Sequence, residues 1–239
     1  LLMLDTRSIY RDKQLNIEDY FDGNSINKSK YKRDLSVDRK LIGLEQMLWI
    51  KNNLNKKFKW SIIGQQVLMA QVYLPTIFAN MNKKILPDYL HKYLKIGGAN
   101  VPYNTDAWDG YPKERERLFK ELKKADSVLV LTGDTHNSWL NNLYDENNNF
   151  IGVEIGTPAI SSPNTIDTFG SLTDGIEEGF IKENKNVKWT EGKHKGYTLL
   201  KLTNDKSEVN FVYVSTVKSK TYEVIDTNKF NVKPSSPII

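Results

Sequence analysis

The sequence contains no cysteine. This absence excludes a disulfide scaffold, a thiolate nucleophile, an iron–sulfur cluster and a cysteine-bound zinc site from these 239 residues. Histidine is nearly as scarce, since the chain has only His91, His136 and His194. Any metal site built from this chain would therefore depend mainly on carboxylates and other oxygen ligands.

Long apolar runs are also absent. No segment approaches the roughly 18–20 apolar residues that a helix needs to cross a bilayer, so the sequence predicts no transmembrane segment. The first residues, Leu1-Leu2-Met3-Leu4-Asp5, have the pattern of a buried strand, with no initiator methionine, charged leader or signal peptide before them. We therefore expect the native protein to have residues upstream of this chain.

A clustered basic surface is missing as well. The net charge is +5, but the lysines are scattered among asparagines, aspartates and isoleucines. Because no lysine and arginine stripe is present, we expect no nucleic acid as a specific partner. A modest positive balance suits an enzyme that binds phosphate esters, and it is equally compatible with a lysine-rich composition that has no function attached.

The length of 239 residues predicts one domain, with two as the less favoured alternative. Hydrophobic periodicity predicts that helices and strands alternate first and that strands dominate later. The predicted strands are 1–5, 60–64, 127–132, 150–155 and an antiparallel pair, 197–202 with 209–217. The predicted helices are 42–58 and 111–125, with short helical pieces at 67–74 and 89–94. In the first helix, the spacing predicts a buried face of Leu44, Met47, Leu48 and Leu54. The polar, aperiodic stretch 12–40 predicts a long surface loop. The proline- and serine-containing segment after Thr227 predicts a surface or disordered tail.

The strongest local signal is a Gly-Asp-x-His turn, Gly133-Asp134-Thr135-His136, directly after the apolar run Val128–Leu131. Glycine lets the backbone turn tightly, so that Asp134 and His136 point into one cleft. A carboxylate and an imidazole suit hard and borderline metal ions, which polarise phosphoryl oxygens and activate water. The alternative for such a short string is an aspartate that caps a helix and a surface histidine.

At this point the sequence resembles the PhoD-like family of alkaline phosphatases and phosphodiesterases, whose late metal-binding motif is Gly-Asp-x-His. Further elements of the family recur in order from residue 1 to about residue 163. They are Leu4-Asp5-Thr6-Arg7 with Tyr10 and Arg11, Gly43 with Gln46 and Trp49, Gln65-Gln66-Val67, Asp106 to Pro112 with Arg115, and Glu154 to Ser162.

The resemblance implies an α/β (α+β) fold, a calcineurin-like metallophosphoesterase β-sandwich flanked by helices, with its N-terminal half missing. Residues 1–227 would form the C-terminal part of the catalytic domain, and residues 228–239 a C-terminal tail. The family's upstream metal motifs, Gly-Asp-x-x-Asp and Asp-Asp-His-Glu, are not found in this sequence. We therefore expect these residues alone to be unable to fill a binuclear centre.

The resemblance also implies a function, the metal-dependent hydrolysis of phosphate monoesters or diesters by a metal-activated water. Asp134 and His136 would be catalytic metal ligands, and iron with calcium is the implied metal pair, with other divalent ions as alternatives. Export to a periplasmic, extracellular or cell-surface location is implied too. A non-catalytic remnant or interaction module that keeps the fold without the chemistry is the alternative function.

Two arginines are candidate substrate-binding residues. Arg7 and Arg11 can grip phosphate oxygens through a guanidinium fork, and the alternative is a structural pair with Asp5 or a neighbouring carboxylate. Downstream, an acidic and aromatic group either lines the mouth of the cleft or serves packing and capping: Asp106, Trp108, Asp109 and Tyr111.

The remaining candidates act through other residues or are structural. Gln65 and Gln66 could orient metal ligands, and Glu154 is either a contact of His136 or a satisfied structural carboxylate. His91 and His194 are expected to be structural or exposed. A serine nucleophile is disfavoured because the sequence has no Gly-x-Ser-x-Gly elbow.

Overall fold

The computed structural model describes residues 1–54 and 58–239. The strands are β1 Leu2–Met3, β2 Phe21–Asp22, β3 Ser25–Ile26, β4 Ser61–Gly64, β5 Val128–Thr132, β6 Ser138–Tyr144, β7 Phe150–Gly156, β8 Val187–Glu191, β9 Lys195–Leu202, β10 Ser207–Val214 and β11 Val224–Val232. The helices are α1 Lys28–Leu35, α2 Gly43–Asn53, α3 His91–Ile96, α4 Pro112–Leu122, α5 Thr165–Phe169 and α6 Thr173–Glu183. Short 3-10 turns cover Ile17–Tyr20, Thr76–Asn80, Lys83–Ile85, Asp88–Leu90, Trp108–Gly110 and Gly170–Leu172.

Six strands form a mixed sheet in the order β1-β4-β5-β7-β6-β8, which we call the large sheet. The first four of these strands are parallel neighbours, and β6 runs antiparallel to both β7 and β8. Strand β5 lies near the middle, with Val128 and Val130 packed on the helical side and Leu129 on the other side. Its apolar run is continuous because both of its faces are covered.

The second sheet has the order β11-β10-β9 and packs face to face on the large sheet. Leu129 and Ile155 of the large sheet meet Val209, Phe211 and Tyr213 of β10 in this layer. The helices pack on the opposite face of the large sheet, where Leu118, Phe119 and Phe180 join its core. The predicted α/β sandwich with helical flanking is therefore confirmed, and the flanking helices of the described residues cover the outer face of the large sheet.

The prediction of a helical piece at 67–74 is wrong. This segment is buried and irregular, and carboxylate and amide oxygens from distant elements accept its backbone N–H groups. Met69 and Ala70 donate to Glu154, Val72 donates to Asp109 at 3.0 Å and Tyr73 donates to Asn184 at 2.7 Å. Side-chain acceptors from far along the chain thus replace the hydrogen bonds that a helix would have supplied.

Helix α2 forms where expected, but only half of the predicted buried face is confirmed, because Met47 and Leu54 pack against the core and Leu44 and Leu48 do not. Leu44 is 70% exposed and Leu48 is 47% exposed, whereas Ile42 and Ile50 are buried. The Glu114 carboxylate accepts the N–H groups of Ile42 and Gly43, which fixes the start of the helix and turns Ile50 toward the core. The predicted helix extended to Phe58, and residues 55–57 lie outside the described part of the chain.

Two further expectations are corrected. Residues 12–40 are not a plain surface loop, because they contain β2, β3 and α1 and bury Tyr20 and Tyr31. The hydroxyl of Tyr31 donates to the Pro102 carbonyl at 2.7 Å, a contact across 71 positions that local periodicity could not show. The expected tail is also wrong for residues 228–232, which continue β11 in register with β10.

Strands β4, β5, β7, β9 and β10 and helices α3 and α4 lie close to their predicted positions. Strands β6 and β8 and helices α5 and α6 were not predicted. Among the described residues, no helix combines the length and the apolar character that spanning a membrane would require.

Candidate metal centre

The Gly-Asp-x-His turn connects β5 to β6 at the carboxyl end of the parallel strands. Asp134 has a φ of 68° and His136 a φ of 65°, so both residues occupy the left-handed region. This conformation is uncommon for residues other than glycine and is found preferentially at functional sites. The turn is therefore held in a special geometry that presents two ligand-type side chains at the sheet end where α/β proteins bind ligands.

The ring of His136 is oriented by a backbone carbonyl. Its Nδ1 lies 2.7 Å from the Pro163 oxygen. A carbonyl oxygen only accepts, so Nδ1 carries the proton and, in the neutral ring, Nε2 keeps a free lone pair. An imidazole that donates through one nitrogen to a carbonyl and offers the other is the arrangement typical of metal-binding histidines.

Arg7 links Asp134 to a second carboxylate, Asp106. Its two terminal nitrogens form ion pairs with one oxygen of each, across 127 and 99 positions of the sequence. About a third of the Arg7, Asp106 and Asp134 side chains is exposed. The three groups therefore form a charged cluster at the surface that a ligand can reach, which we call the Arg7 cluster.

Arg11 lies behind the Arg7 cluster and is more enclosed, with 13% of its side chain exposed. Its guanidinium pairs with the other oxygen of Asp106 and donates to the backbone oxygens of Thr6 and Asp106, each at 2.8 Å. It also lies over the ring of Tyr111, 5.3 Å from the centroid. These contacts hold Asp106 in place, and they bring Arg7 rather than Arg11 to Asp134.

Asp5 does not pair with the Arg7 guanidinium. Its carboxylate accepts the backbone N–H groups of Ser8 and Arg7 at 2.8 Å each, and these bonds lower the pKa of Asp5. This local turn directs the Arg7 side chain away from Asp5 and toward the Arg7 cluster.

Gln66 ties the two halves of the site together. The side-chain oxygen of Gln66 accepts the backbone N–H of Thr6 at 2.9 Å, and the backbone carbonyl of Gln66 accepts the N–H of Gly133 at 3.0 Å. The residues next to Arg7 and Asp134 are thereby anchored to one point at the end of β4. Gln65 instead binds Val67 and the indole of Trp108, so it supports the core.

The acidic and aromatic residues after Asn104 include one that lies at the candidate site and three that serve packing. Only Asp106 reaches the candidate site. Trp108 is fully buried, Asp109 forms a buried ion pair with Arg115 at 2.7 Å, and the hydroxyl of Tyr111 donates to the Asp12 carbonyl at 2.7 Å. These three side chains pack and fix the loop that carries Asp106.

Glu154 is a satisfied structural carboxylate. It is completely buried and accepts hydrogen bonds from Met69, Ala70 and Asn141. Burial raises its pKa from 4.5 to about 7, although these donors oppose the shift. His194 pairs with Glu191 at 2.8 Å, and Nε2 of His91 lies 3.0 Å from the Leu86 carbonyl. None of the contacts found for these three residues in the described part of the chain reaches Asp134 or His136.

The buried Glu154 predicts a pH dependence of stability. The pKa of Glu154 is higher in the folded state, so folding favours its protonated form. Its contribution to the free energy of unfolding, roughly 3 kcal/mol, is therefore fully present below about pH 4.5 and is lost as the pH rises through about 7. We expect Glu154→Gln to flatten the decline in unfolding free energy between pH 5 and pH 8, measured by urea titration. The exposed Glu178→Gln should keep the wild-type slope, and an unchanged slope in Glu154→Gln would contradict the assignment.

Two open cavities flank Asp134. One, of about 570 Å³, is lined by Lys13, Lys92, Tyr93, Tyr103, Asp106 and Asp134. The other, of about 670 Å³, is mainly apolar and extends from Arg7 and Asp134 between the two sheets. A ligand at Asp134 therefore has a polar side with two lysines and an apolar side.

The side chains of Asp134 and His136 carry donor atoms of a kind that binds metal ions, but two such side chains are too few to hold an ion. In residues 1–54 and 58–239 no cluster of three or more histidine, cysteine, aspartate or glutamate side chains could hold an ion. A structural zinc needs four ligands and hard ions about six. The described residues therefore offer two donors of the right kind at this turn, fewer than either coordination requires.

Sequence reasoning did not identify Asp106 as the partner of both arginines or the Pro163 carbonyl as the acceptor for His136. The adjacent motifs gave a partial signal, because Asp106 belongs to a motif of the resembled family. Neither pairing leaves a periodic trace, since the partners are 27 to 99 positions apart.

The family model described as PhoD-like phosphatase matches residues 1–211. Alkaline phosphatase D of Bacillus subtilis (strain 168) is 32% identical over 209 residues, which cover 84% of this chain and 30% of that protein. A solved structure, described as the structure of PhoD, matches 98% of this chain and 40% of its own with a TM-score of 0.68 and 26% identity. The chain thus spans less than half the length of the relatives it matches.

Proposed function

Because this chain belongs to the PhoD-like phosphatase family, we propose that it is part of a metal-dependent enzyme that hydrolyses phosphate esters. In this proposal Asp134 and His136 are two of the metal ligands, and Arg7 binds the phosphate group. The remaining ligands come from residues outside this chain. We call the polypeptide or complex in which the metal centre is complete the assembled enzyme.

The observation that carries the proposal is the geometry of the Gly-Asp-x-His turn. A surface histidine has no need of a fixed ring, yet His136 is held through Nδ1 so that Nε2 is free. A capping aspartate has no need of an arginine, yet Asp134 is paired with Arg7. The left-handed backbone at both residues keeps these side chains on one turn.

The chain's own residues would bind and orient the phosphate group. Arg7 has five N–H donors and uses two nitrogens on Asp106 and Asp134, so it retains donors for phosphate oxygens. Asp106, held by Arg11, fixes the plane of the Arg7 guanidinium. When bound, the metal would supply Lewis acidity and an activated water.

The finer features of the proposal follow the family resemblance. Iron with calcium is the expected metal pair, with other divalent ions as alternatives. Phosphate monoesters and diesters are the expected substrates, and an exported enzyme is the expected setting. The two lysines beside Asp134, Lys13 and Lys92, would favour anionic substrates of either class.

The ligand count predicts the behaviour of the isolated chain. Purified residues 1–239 are expected to hydrolyse p-nitrophenyl phosphate no faster than buffer containing the same metals, because two ligands do not retain a catalytic ion. The measurement is a rate assay with iron, calcium, manganese and zinc in turn, with and without EDTA. Metal-dependent activity that EDTA abolishes would show that this chain completes its centre by itself.

A second candidate function is a non-catalytic interaction module. It is favoured by the same shortage of metal ligands in the described residues. The two candidates differ in metal binding, since a remnant has no reason to keep Nε2 of His136 available. Elemental analysis of the assembled enzyme should therefore show a bound ion that His136→Asn removes, and a metal-free assembly favours the module.

A further inference from the structure

A small cavity borders the Gly-Asp-x-His turn on the helical side of the large sheet. Its volume is about 150 Å³, and Thr135 of the turn lies in its wall. Six aromatic rings line it, and we therefore call it the aromatic cavity. They are Phe78, Tyr93, Tyr103, Trp139, Phe169 and Phe180.

The rings of the aromatic cavity stand at steep angles to one another. Phe78 lies in the middle of them, and its centroid is 6.0 Å from Tyr93, 5.5 Å from Phe169 and 6.2 Å from Phe180. All three of these pairs are edge-to-face, as is the pair of Tyr93 and Tyr103 at 6.3 Å. A further ring placed among them can make the edge-to-face contacts that aromatic groups prefer. The wall therefore favours a flat aromatic occupant over a branched aliphatic one.

The size of the aromatic cavity limits its occupant to about one ring. Apolar cavities of about 150 Å³ stay dry and bind benzene. The wall includes Leu74, Ile176 and Phe180, each at most 5% exposed, so a ring bound there would be removed from water. An unfilled cavity of this size weakens a core, and a ligand that fills it recovers the lost contacts.

The polar side chains in this wall already bind one another. Thr135 Oγ1 accepts the indole N–H of Trp139 at 2.8 Å, and Asn137 Nδ2 donates to Thr165 Oγ1 at 2.7 Å. These side chains do not require a polar partner from a ligand. The part of a ligand that lies inside the aromatic cavity is therefore expected to be apolar.

The aromatic cavity adjoins the polar cavity of about 570 Å³ beside Asp134. Tyr93, Tyr103 and Thr135 line both cavities, so these three residues form the junction between them. Asp134 lies in the polar cavity and pairs with Arg7. A phosphate group held at Arg7 would therefore have its organic group next to the junction.

The two tyrosines at the junction have free hydroxyl groups. Within the described ranges, the interactions that act on the hydroxyls of Tyr93 and Tyr103 include no hydrogen bond. Burial raises the pKa of both, so the hydroxyls stay protonated and can donate. A buried tyrosine hydroxyl usually has a partner, and a ligand oxygen at the junction would supply one.

We propose that the aromatic cavity is the subsite for the organic group of the substrate, and that the preferred substrates are phosphate esters of a single aromatic ring. The ring fills the aromatic cavity, and the ester oxygen lies at the hydroxyls of Tyr93 and Tyr103. This inference rests on the proposed function, because it takes the phosphate group to be bound at Arg7 and Asp134. A small aliphatic ester would leave the aromatic cavity unfilled and would lose the ring contacts.

The first test is the binding of para-fluorophenol to the purified chain, followed by fluorine NMR, which requires neither metal nor catalysis. Saturable binding is expected. Ile176→Phe fills the cavity and should weaken this binding by at least about tenfold. Ile181→Phe lies on the same helix, at a side chain that is 40% exposed and does not line the cavity, and should bind like wild type. No saturable binding, or equal affinities in the two variants, overturns the proposal.

A second variant changes the cavity in the opposite direction. Phe169 is only partly buried, so Phe169→Ala enlarges the aromatic cavity and leaves the fully buried core side chains in place. The enlarged cavity should bind 6-fluoro-2-naphthol, which has two fused rings, at least about tenfold more tightly than the wild-type chain does. This result does not depend on the folding of Ile176→Phe, and no gain in affinity overturns the proposal.

Hydrolysis by the assembled enzyme tests the subsite during catalysis. The quantity measured is kcat/KM for phenyl phosphate divided by kcat/KM for ethyl phosphate. Ile176→Phe should lower this ratio by at least about tenfold, and Ile181→Phe should keep the wild-type ratio. The intrinsic difference between the two leaving groups cancels, because the same pair of substrates is compared in each variant. An unchanged ratio in Ile176→Phe overturns the proposal.

The two kinds of measurement separate this inference from the proposed function. Binding of para-fluorophenol without hydrolysis of either ester would reject the proposed function and leave the aromatic cavity as a ring-binding site. Hydrolysis of both esters without binding of para-fluorophenol would overturn the subsite and leave the proposed function standing.

Discussion

In the assembled enzyme, Asp134→Asn and His136→Asn are each expected to lose bound metal and to lower kcat/KM by at least about three orders of magnitude. Under the proposed function each substitution removes one metal ligand, and the Lewis acidity and the activated water would be lost with the ion. Asparagine tolerates the left-handed backbone found at both positions, so the turn itself should be preserved. Metal content is measured by elemental analysis and rates on a phosphomonoester and a phosphodiester.

Two control substitutions distinguish the loss of a metal ligand from the mere loss of a carboxylate charge or an imidazole ring. Asp205→Asn, in the turn between β9 and β10, and His91→Ala, on α3, should keep both metal and rate. If Asp134 only capped a turn, Asp134→Asn would be nearly silent, because asparagine caps as well as aspartate. Full metal occupancy with near-normal rates in both variants would refute the site, even though the family assignment would stand.

The parts of the fold that could be predicted are those whose hydrogen bonds are local or whose burial leaves a pattern. Strand β5 is covered on both faces and therefore reads as a continuous apolar run. Helix α4 begins at Pro112 and shows a clear apolar stripe. Strand β6 was not predicted because its buried residues include Asn141 and Asn142, which sequence reasoning treats as loop formers.

Other parts depend on partners that no short window contains. The segment 67–74 is apolar enough for a helix, but Glu154, Asp109 and Asn184 accept its N–H groups from positions 37 or more residues away. The buried face of α2 was predicted correctly for Met47 and Leu54 but not for Leu44 and Leu48, because Glu114 fixes the start of that helix. In both cases the local structure was decided by a buried charged or polar side chain that accepts hydrogen bonds from backbone groups far away in the sequence.

The candidate site divides in the same way. The Gly-Asp-x-His string is contiguous, so the sequence placed Asp134 and His136 at the end of β5, where the structure has them. The order of the other motifs identified Arg7 as a candidate but did not show what it contacts. Its pairing with Asp106 and Asp134 depends on the Asp5 turn and on Gln66, which bring the three segments to one end of the sheet.

The position of Arg7 predicts the second large effect. Arg7→Ala in the assembled enzyme is expected to raise KM by about 10- to 100-fold and to lower kcat by less than about tenfold, since an arginine that grips the ground-state phosphate contributes uniform binding. Arg7→Lys should recover little of the lost affinity, because an ammonium group cannot span Asp106, Asp134 and a phosphate oxygen as the guanidinium fork does. Initial rates across substrate concentrations give both constants, and metal content should stay at the wild-type level in both variants.

Asp106→Asn is the companion variant: it leaves Arg7 in place but removes the charge that holds it, so KM should rise less than in Arg7→Ala. A structural role for Arg7 predicts a different pattern, in which Arg7→Ala lowers the melting temperature and the yield of soluble protein while KM stays unchanged, and that result would remove Arg7 from the substrate site.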